Sequence, residues 1–160
     1  MRRALLLVCS ALLTSTLALA QPHDVDGWGQ TKWGMTAADI QRLFPSAKAG
    51  PCTPHQKNCG TRIEVPGVDV AGVKCSVILT LDKSGKLDLV LLAPVAPTRK
   101  SADALLSGLT EKYGRPTSRE QNVWTWTFTT TTISLSSIIS GDFGMVFLSY
   151  QRRASLQPNL

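Results

Sequence analysis

Hydrophobic and polar residues alternate along several stretches of this chain, and a period of two is typical of β-strands that bury one face. The clearest stretch covers residues 73–82. Residues 87–92 follow it after a turn-forming run at 82–85, so the two stretches are predicted to form a hairpin. Further strands are predicted at residues 61–70, 123–128, 133–135 and 145–150.

Another stretch repeats its hydrophobic residues at helical spacing. The first helix is predicted over residues 37–44, with Thr36 as its N-cap. Asp39 lies three residues after the cap, where its carboxylate can reach back to the cap amide. Pro45 ends the helix, because the residue before a proline disfavours helical geometry.

A second helix is predicted between an N-cap at Ser101 and a terminal glycine at Gly114, with Leu105, Leu109 and Tyr113 forming its apolar stripe. The element order is therefore helix, two or three strands, helix, three strands. It predicts an α+β fold in which an antiparallel sheet of about five or six strands carries two short helices on one face. The order also suggests a tandem helix-plus-meander repeat.

The first twenty residues have the pattern of a cleavable export signal. Arg2 and Arg3 precede an apolar run, and Ala18-Leu19-Ala20 places small residues where a signal peptidase cuts. The mature protein is therefore expected in the periplasm or outside the cell. The predicted divisions are a cleaved signal peptide at 1–20, a flexible arm at 21–31, a single α+β domain at 32–150 and a frayed tail at 151–160.

Charge and hydropathy narrow the classes of partner. Removal of Arg2 and Arg3 with the signal lowers the formal net charge from +6 to +4. The remaining basic residues are scattered, whereas a nucleic-acid binder clusters them on one face, so no nucleic-acid partner is predicted. No stretch after the signal is apolar enough to span a bilayer, so no transmembrane segment is predicted there.

Signal cleavage leaves three cysteines in an oxidising compartment, where disulfides are favoured. Cys52 and Cys59 bracket a loop of turn-forming residues and are the preferred pair. Cys75 lies in the strand at 73–82, where it is either a buried small hydrophobic residue or an alternative partner for one of the other two. Cys52, His55 and Cys59 supply three ligands where a structural zinc site needs four, so no metal is predicted.

Two short motifs resemble those of small exported bacterial proteins. The first is Trp33-Gly34-Met35-Thr36 with Asp39-Ile40 and Phe44-Pro45, and the second is Leu109 with Lys112-Tyr113-Gly114 and Pro116. The architecture resembles the β-lactamase-inhibitor-protein-like fold and the small outer-membrane lipoprotein of the β-barrel assembly machinery. The resemblance implies a non-catalytic domain that binds other proteins. The lipid-attachment cysteine of the assembly lipoproteins is absent from this sequence, which argues against lipid anchoring.

No arrangement of residues predicts a catalytic site or a cofactor. Both histidines, His23 and His55, lie in loop sequence, and neither a nucleophile elbow nor a phosphate-binding loop occurs. The predicted function is therefore an exported, non-catalytic protein-binding domain, for example an inhibitor or immunity-type protein. A structural or assembly accessory of the cell envelope is the alternative, and a small hydrolase that uses buried carboxylates ranks third.

Trp124, Trp126 and Phe128 are the residues predicted to contact the partner. Their period-two spacing puts all three on one face of the sheet. In one interpretation that face packs against the helices, because aromatic residues dominate cores. In the other it forms an exposed aromatic platform, which is favoured if the alternate residues Val123, Thr125 and Thr127 face the helices.

Overall fold

All of the described strands join in one antiparallel sheet, and a helix opens each half of the chain. The computed structural model describes residues 24–53, 58–141 and 143–153, so the predicted signal peptide lies outside the described residues. The elements are α1 (Ala37–Leu43), β1 (Lys48–Gly50), β2 (Cys59–Val70), β3 (Val73–Asp82), β4 (Leu87–Pro94), α2 (Arg99–Tyr113), β5 (Ser118–Glu120), β6 (Val123–Thr127), β7 (Thr131–Ser140) and β8 (Phe143–Arg152).

The sheet has the order β1-β2-β3-β4-β8-β7-β6-β5. Each helix is followed by four strands that pair in sequence, so the second half of the chain repeats the element order of the first. The two halves meet where β4 pairs with β8, with Leu92 opposite Leu148. The last strand of each half therefore lies at the middle of the sheet, and the first strand of each half lies at an edge.

The prediction of five or six strands is wrong, because the sheet has eight. The two unpredicted strands, β1 and β5, are three residues long and lie at the two edges. Strands this short show no alternation of hydrophobic and polar residues. They are defined only by their pairing with a neighbouring strand, in which Ala49 lies opposite Ile63 and Arg119 lies opposite Trp124.

Each helix begins at a capping box. Thr36 is confirmed as the N-cap of α1, since its hydroxyl accepts a hydrogen bond from the Asp39 amide at 3.3 Å. The cap predicted at Ser101 is wrong. Thr98 caps α2, accepting from the Ser101 amide at 3.2 Å, while its own amide donates to the Ser101 hydroxyl at 2.9 Å. Ser101 is thus the third helical residue, and α2 has 15 residues rather than being short.

The helices pack on one face of the sheet, and the alternation within the strands decides which side chains point towards them. Leu79, Leu92, Leu135 and Leu148 come from four neighbouring strands and are fully buried on this covered face. They form one hydrophobic cluster with Leu105 of α2 and other core residues. The opposite face of the sheet carries no described helix and is called the open face below.

The segment predicted as a flexible arm is bound to the sheet from its first described residue. The Thr130 amide donates a hydrogen bond to the Asp24 carboxylate at 3.2 Å, and the Thr130 hydroxyl donates to the Val25 carbonyl at 2.8 Å. Further along, Trp33 Nε1 donates to Thr131 Oγ1 at 2.6 Å. The described part of the arm therefore lies across the β6–β7 turn instead of projecting away from it.

The tail predicted to be frayed, residues 151–160, begins within the last strand of the sheet. Gln151 and Arg152 belong to β8, and the Arg153 amide donates to the Thr130 carbonyl at 2.8 Å. Residues 154–160 lie outside the described residues. Within the part of the chain that is described, no helix has the length and hydropathy needed to cross a membrane.

Candidate functional site: a groove between the two helices

A groove of about 770 Å³ lies on the covered side of the sheet, between α2 and the C-cap of α1 at Phe44. Three segments that are distant in sequence form its walls: the arm with the end of α1, the β2–β3 turn, and α2. Its apolar lining includes Trp28, Phe44, Val68, Val70, Leu105 and Leu109. We call this feature the interhelical groove. Its volume falls in the range of about 300–1,000 Å³ that is usual for ligand sites.

The wall nearest the N-terminus is aromatic. The rings of Trp28 and Phe44 stack with centroids 6.3 Å apart and an interplanar angle of 25°. Trp28 is held by a tight turn, because the Thr31 hydroxyl donates to its carbonyl at 2.7 Å. Both rings are half-buried and pack on the main hydrophobic cluster. They therefore present a fixed apolar surface to the groove.

The facing wall depends on a close contact between α2 and the β2–β3 turn. A side-chain carbon at Gly108 would lie only 2.6 Å from the Ala71 methyl group, well inside van der Waals contact. Ala71 itself has a φ of 51°, in the left-handed region that non-glycine residues rarely occupy. Glycine at position 108 thus lets the helix approach the turn and close this side of the groove.

Tyr150 of β8 contributes a buried aromatic residue to the groove. Its ring packs edge-on against Tyr113 of α2, with centroids 6.5 Å apart. Burial raises the pKa of the Tyr150 phenol far above its usual range, and the charge and hydrogen bond of Tyr113 act in the same direction. The phenol is therefore neutral at physiological pH, which makes it a polar contact in an apolar groove rather than a general base.

The edge of the groove is polar and exposed. Gln30, Asp69, Glu111 and Lys112 lie along it. Asp69 accepts a hydrogen bond from the Gly72 amide at 2.9 Å, which helps to hold the turn. An apolar trough with an exposed polar edge is the usual arrangement of a site that receives apolar side chains from another molecule.

The residues predicted to bind a partner lie on the covered face of the sheet. Trp126 is 1% exposed, and its Nε1 donates to the Gly114 carbonyl at 2.9 Å, which secures the end of α2. Phe128 is half-buried and packs edge-on against Tyr113 at 5.6 Å. These two aromatic residues therefore support the helix that walls the groove.

Trp124 is also half-buried on this face, with the Arg119 guanidinium 5.1 Å from its ring centroid. The alternate residues Val123 and Thr125 point to the open face, opposite to what an exposed platform requires. Trp124, Trp126 and Phe128 consequently form no exposed aromatic platform, and the interpretation of this face as core agrees with the structure.

The predicted disulfide between Cys52 and Cys59 is present, with Cα atoms 5.9 Å apart. Cys75 is a free thiol in the core. The two cysteines considered as zinc ligands are therefore joined in a disulfide. The third candidate ligand, His55, lies outside the described residues. Among the residues described, no group of three His, Cys, Asp or Glu side chains could hold a metal ion.

Sequence reasoning did not find the groove. Trp28 stands in a polar stretch, and Val68 and Val70 follow a β-bulge that interrupts the register of β2 with β3. Gly108 was a usable signal, because a glycine within an apolar helix stripe often marks close packing. Comparison with known proteins gives no matching family model, no matching curated protein and no matching solved structure.

Proposed function

We propose that this protein is an exported, non-catalytic domain that binds another protein, and that the interhelical groove receives apolar side chains of that partner. The groove is the observation that carries the proposal. It combines stacked aromatic and aliphatic walls with a polar edge. Such pockets hold the few anchor residues that dominate the energy of protein–protein association.

A protein is a better occupant than a small molecule because the groove is an open trough. Leu105, Leu109 and Tyr150 are its buried residues, whereas the arm, the β2–β3 turn and the edge of α2 remain partly or fully exposed. A small apolar molecule in this trough would keep much of its surface in water. A side chain projecting from a folded partner would be covered by the partner itself.

The ionisable groups support a binding role rather than catalysis. Asp69, Glu111 and Lys112 lie on the exposed edge, while the buried Tyr150 phenol has a raised pKa and stays protonated. The Cys75 thiol is in the core, and burial raises its pKa as well. Among the described residues, the groove therefore offers contacts and shape, with no activated nucleophile or paired acid and base.

Export is part of the same proposal. The pattern of residues 1–20 supports it, and the Cys52–Cys59 disulfide is compatible with an oxidising compartment. The intact mass of the protein recovered outside the cytoplasm tests it. We expect a mass that corresponds to a chain beginning at Gln21, and an uncut chain would contradict this part.

Site-specific photo-crosslinking tests the binding role. A photoreactive phenylalanine analogue replaces Val70 or Lys112 in the groove. Thr117, an exposed residue next to β5 that does not line the groove, is the control position. Illumination of intact cells is expected to produce a discrete protein adduct from the two groove positions and none from position 117. Equal adducts from all three positions, or none from the groove, would refute the proposal.

A companion variant, Phe44→Ser, removes one aromatic wall and is expected to abolish the adducts made from position 70. Unchanged circular dichroism would show that this variant is folded. Native mass spectrometry of the purified protein tests the small-molecule alternative. A bound small apolar compound that disappears in Phe44→Ser would show that the groove has a different occupant.

A further inference from the structure

The open face of the sheet carries the large apolar side chains that are most exposed among the described residues. They are Val95 (72% exposed), Phe143 (57%), Ile138 (50%) and Met145 (38%). Ile138 is directly opposite Met145 in the β7–β8 pair, and Phe143 is two residues from Met145 on the same face. Val95 follows β4, and its amide donates a hydrogen bond to the Lys74 carbonyl at 2.9 Å. Phe143, Met145 and Ile138 therefore form one patch.

The patch is part of a ridge of bulky side chains on β8, which lies beside a row of small side chains on β7. Strand β8 presents Phe143, Met145 and Phe147 to the open face, although Val146, Leu148 and Tyr150 on its other side already fill the core. The neighbouring strand β7 presents small residues opposite both rings, since Ser136 pairs with Phe147 and Ser140 pairs with Phe143. A strand that is apolar on both faces is typical of a sheet covered on both sides.

We propose that a second copy of this chain covers the open face, with a two-fold axis that runs parallel to the strands between β7 and β8. This axis places the β8 ridge of each copy over the β7 strand of the other. Phe147 then lies over Ser136, Met145 over Ile138, and Phe143 over Ser140. Bulky residues meet small ones, and the two exposed aliphatic side chains meet each other. A two-fold interface requires a self-complementary patch of this kind.

The distribution of charged residues independently supports the same two-fold axis. The six strands β3, β4, β8, β7, β6 and β5 carry their open-face charges at the margins of this region: Lys74, Glu120, and Asp82 with its neighbour Asp88. Arg62 and Glu64 of β2 border the region, since they line a pocket with Ser76 and Ile78 of β3. The centre of the six strands is the β8–β7 boundary. The axis therefore superposes uncharged surface on uncharged surface and leaves β1 and β2 in solvent.

The charged residues at the margins of the proposed interface are complementary as well. The axis pairs β3 of one copy with β5 of the other, so Glu120 faces Ser76 of the second copy and lies next to its Lys74. The overlapping parts of the strands offer about 600 Å² per copy, taking the usual strand spacing and rise. This is at the lower end of the standard size of stable interfaces, roughly 600–1,000 Å² per partner.

Sedimentation velocity of the mature protein across the micromolar range tests the proposal. The wild-type protein is expected to be a dimer. Ile138→Asp would bury an uncompensated charge against Met145 and is expected to raise the dimer dissociation constant at least roughly tenfold. Glu64→Lys changes an exposed charge on β2 and is expected to leave the dimer intact. A monomeric wild-type protein, or a dimer unaffected by Ile138→Asp, would overturn the proposal.

A mixing experiment tests the register of the interface. Met145→Lys alone is expected to be monomeric, like Ile138→Asp. A mixture of the two variants is expected to form a heterodimer, because the new lysine and aspartate face each other while the second Met145–Ile138 contact remains native. A mixture that stays monomeric rejects this axis. The result is independent of the interhelical groove, because that groove lies on the other side of the sheet.

Discussion

At the scale of single residues, reciprocal hydrogen bonds fix where the first helix starts. The Thr36 amide donates to the Asp39 carboxylate at 2.9 Å and the Thr36 hydroxyl donates to it at 2.7 Å. These bonds, together with Arg42, lower the pKa of Asp39 from 3.8 to about 2. Thr36→Ala removes the cap hydroxyl and is expected to cost about 1 kcal/mol of unfolding free energy.

The lowered pKa of Asp39 predicts a defined pH dependence. A carboxyl group with a folded pKa below its unfolded value stabilises the protein above the unfolded pKa, and this contribution is lost as the pH falls through the folded pKa. Asp39→Ala should therefore be less stable than the wild type at neutral pH, and the difference should shrink between about pH 4 and pH 2. Urea denaturation of both proteins measures it. A difference that does not change with pH would show that the carboxylate charge has no part in capping.

At the scale of elements, the contact between α2 and the β2–β3 turn reverses an ordinary expectation. Replacing a helical glycine by alanine usually stabilises a helix by about 1 kcal/mol. Gly108→Ala is instead expected to destabilise the protein by about 1–3 kcal/mol, since the new methyl group would lie 2.6 Å from the Ala71 methyl. Thermal unfolding measures whether the variant is less or more stable than the wild type. The sign of this difference tests the close contact between Gly108 and Ala71.

The matched control is the double variant Gly108→Ala with Ala71→Gly. Removing the Ala71 methyl eliminates the clash and places glycine where φ is 51°. The double variant is therefore expected to regain the stability lost by Gly108→Ala. If Gly108→Ala proves stabilising on its own, the helix and the turn are further apart than the structure shows.

At the scale of the whole molecule, the three cysteines that follow the predicted signal have distinct chemistry. Cys75 is buried, and desolvation followed by the negative charge of Asp69 raises its thiol pKa, so it reacts slowly in the native state. Cys52 and Cys59 are joined. A thiol assay on the mature protein should detect no reactive thiol when native, one after denaturation and three after denaturation with reduction. Three thiols before reduction would contradict the disulfide.

Local interactions explain what could be predicted from the sequence. The strand alternation of β3, the first capping box and the preferred disulfide depend on residues within about ten positions of one another, so their signal is present in any short window. The second capping box was locally visible too, since Thr98 and Ser101 have the same spacing as Thr36 and Asp39. Ser101 is itself a residue type favoured at N-caps, so this local pattern does not decide between Thr98 and Ser101.

Pairing between distant segments explains the rest. The edge strands β1 and β5 have no pattern of their own and exist through their partners β2 and β6. The side of the sheet that Trp126 faces depends on where α2 lies. The interhelical groove joins Trp28, Val68 and Leu105, whose proximity is set by the packing of both helices on one face. The sequence thus determined the elements and their order, whereas the tertiary structure alone decided the strand count, the covered face and the groove.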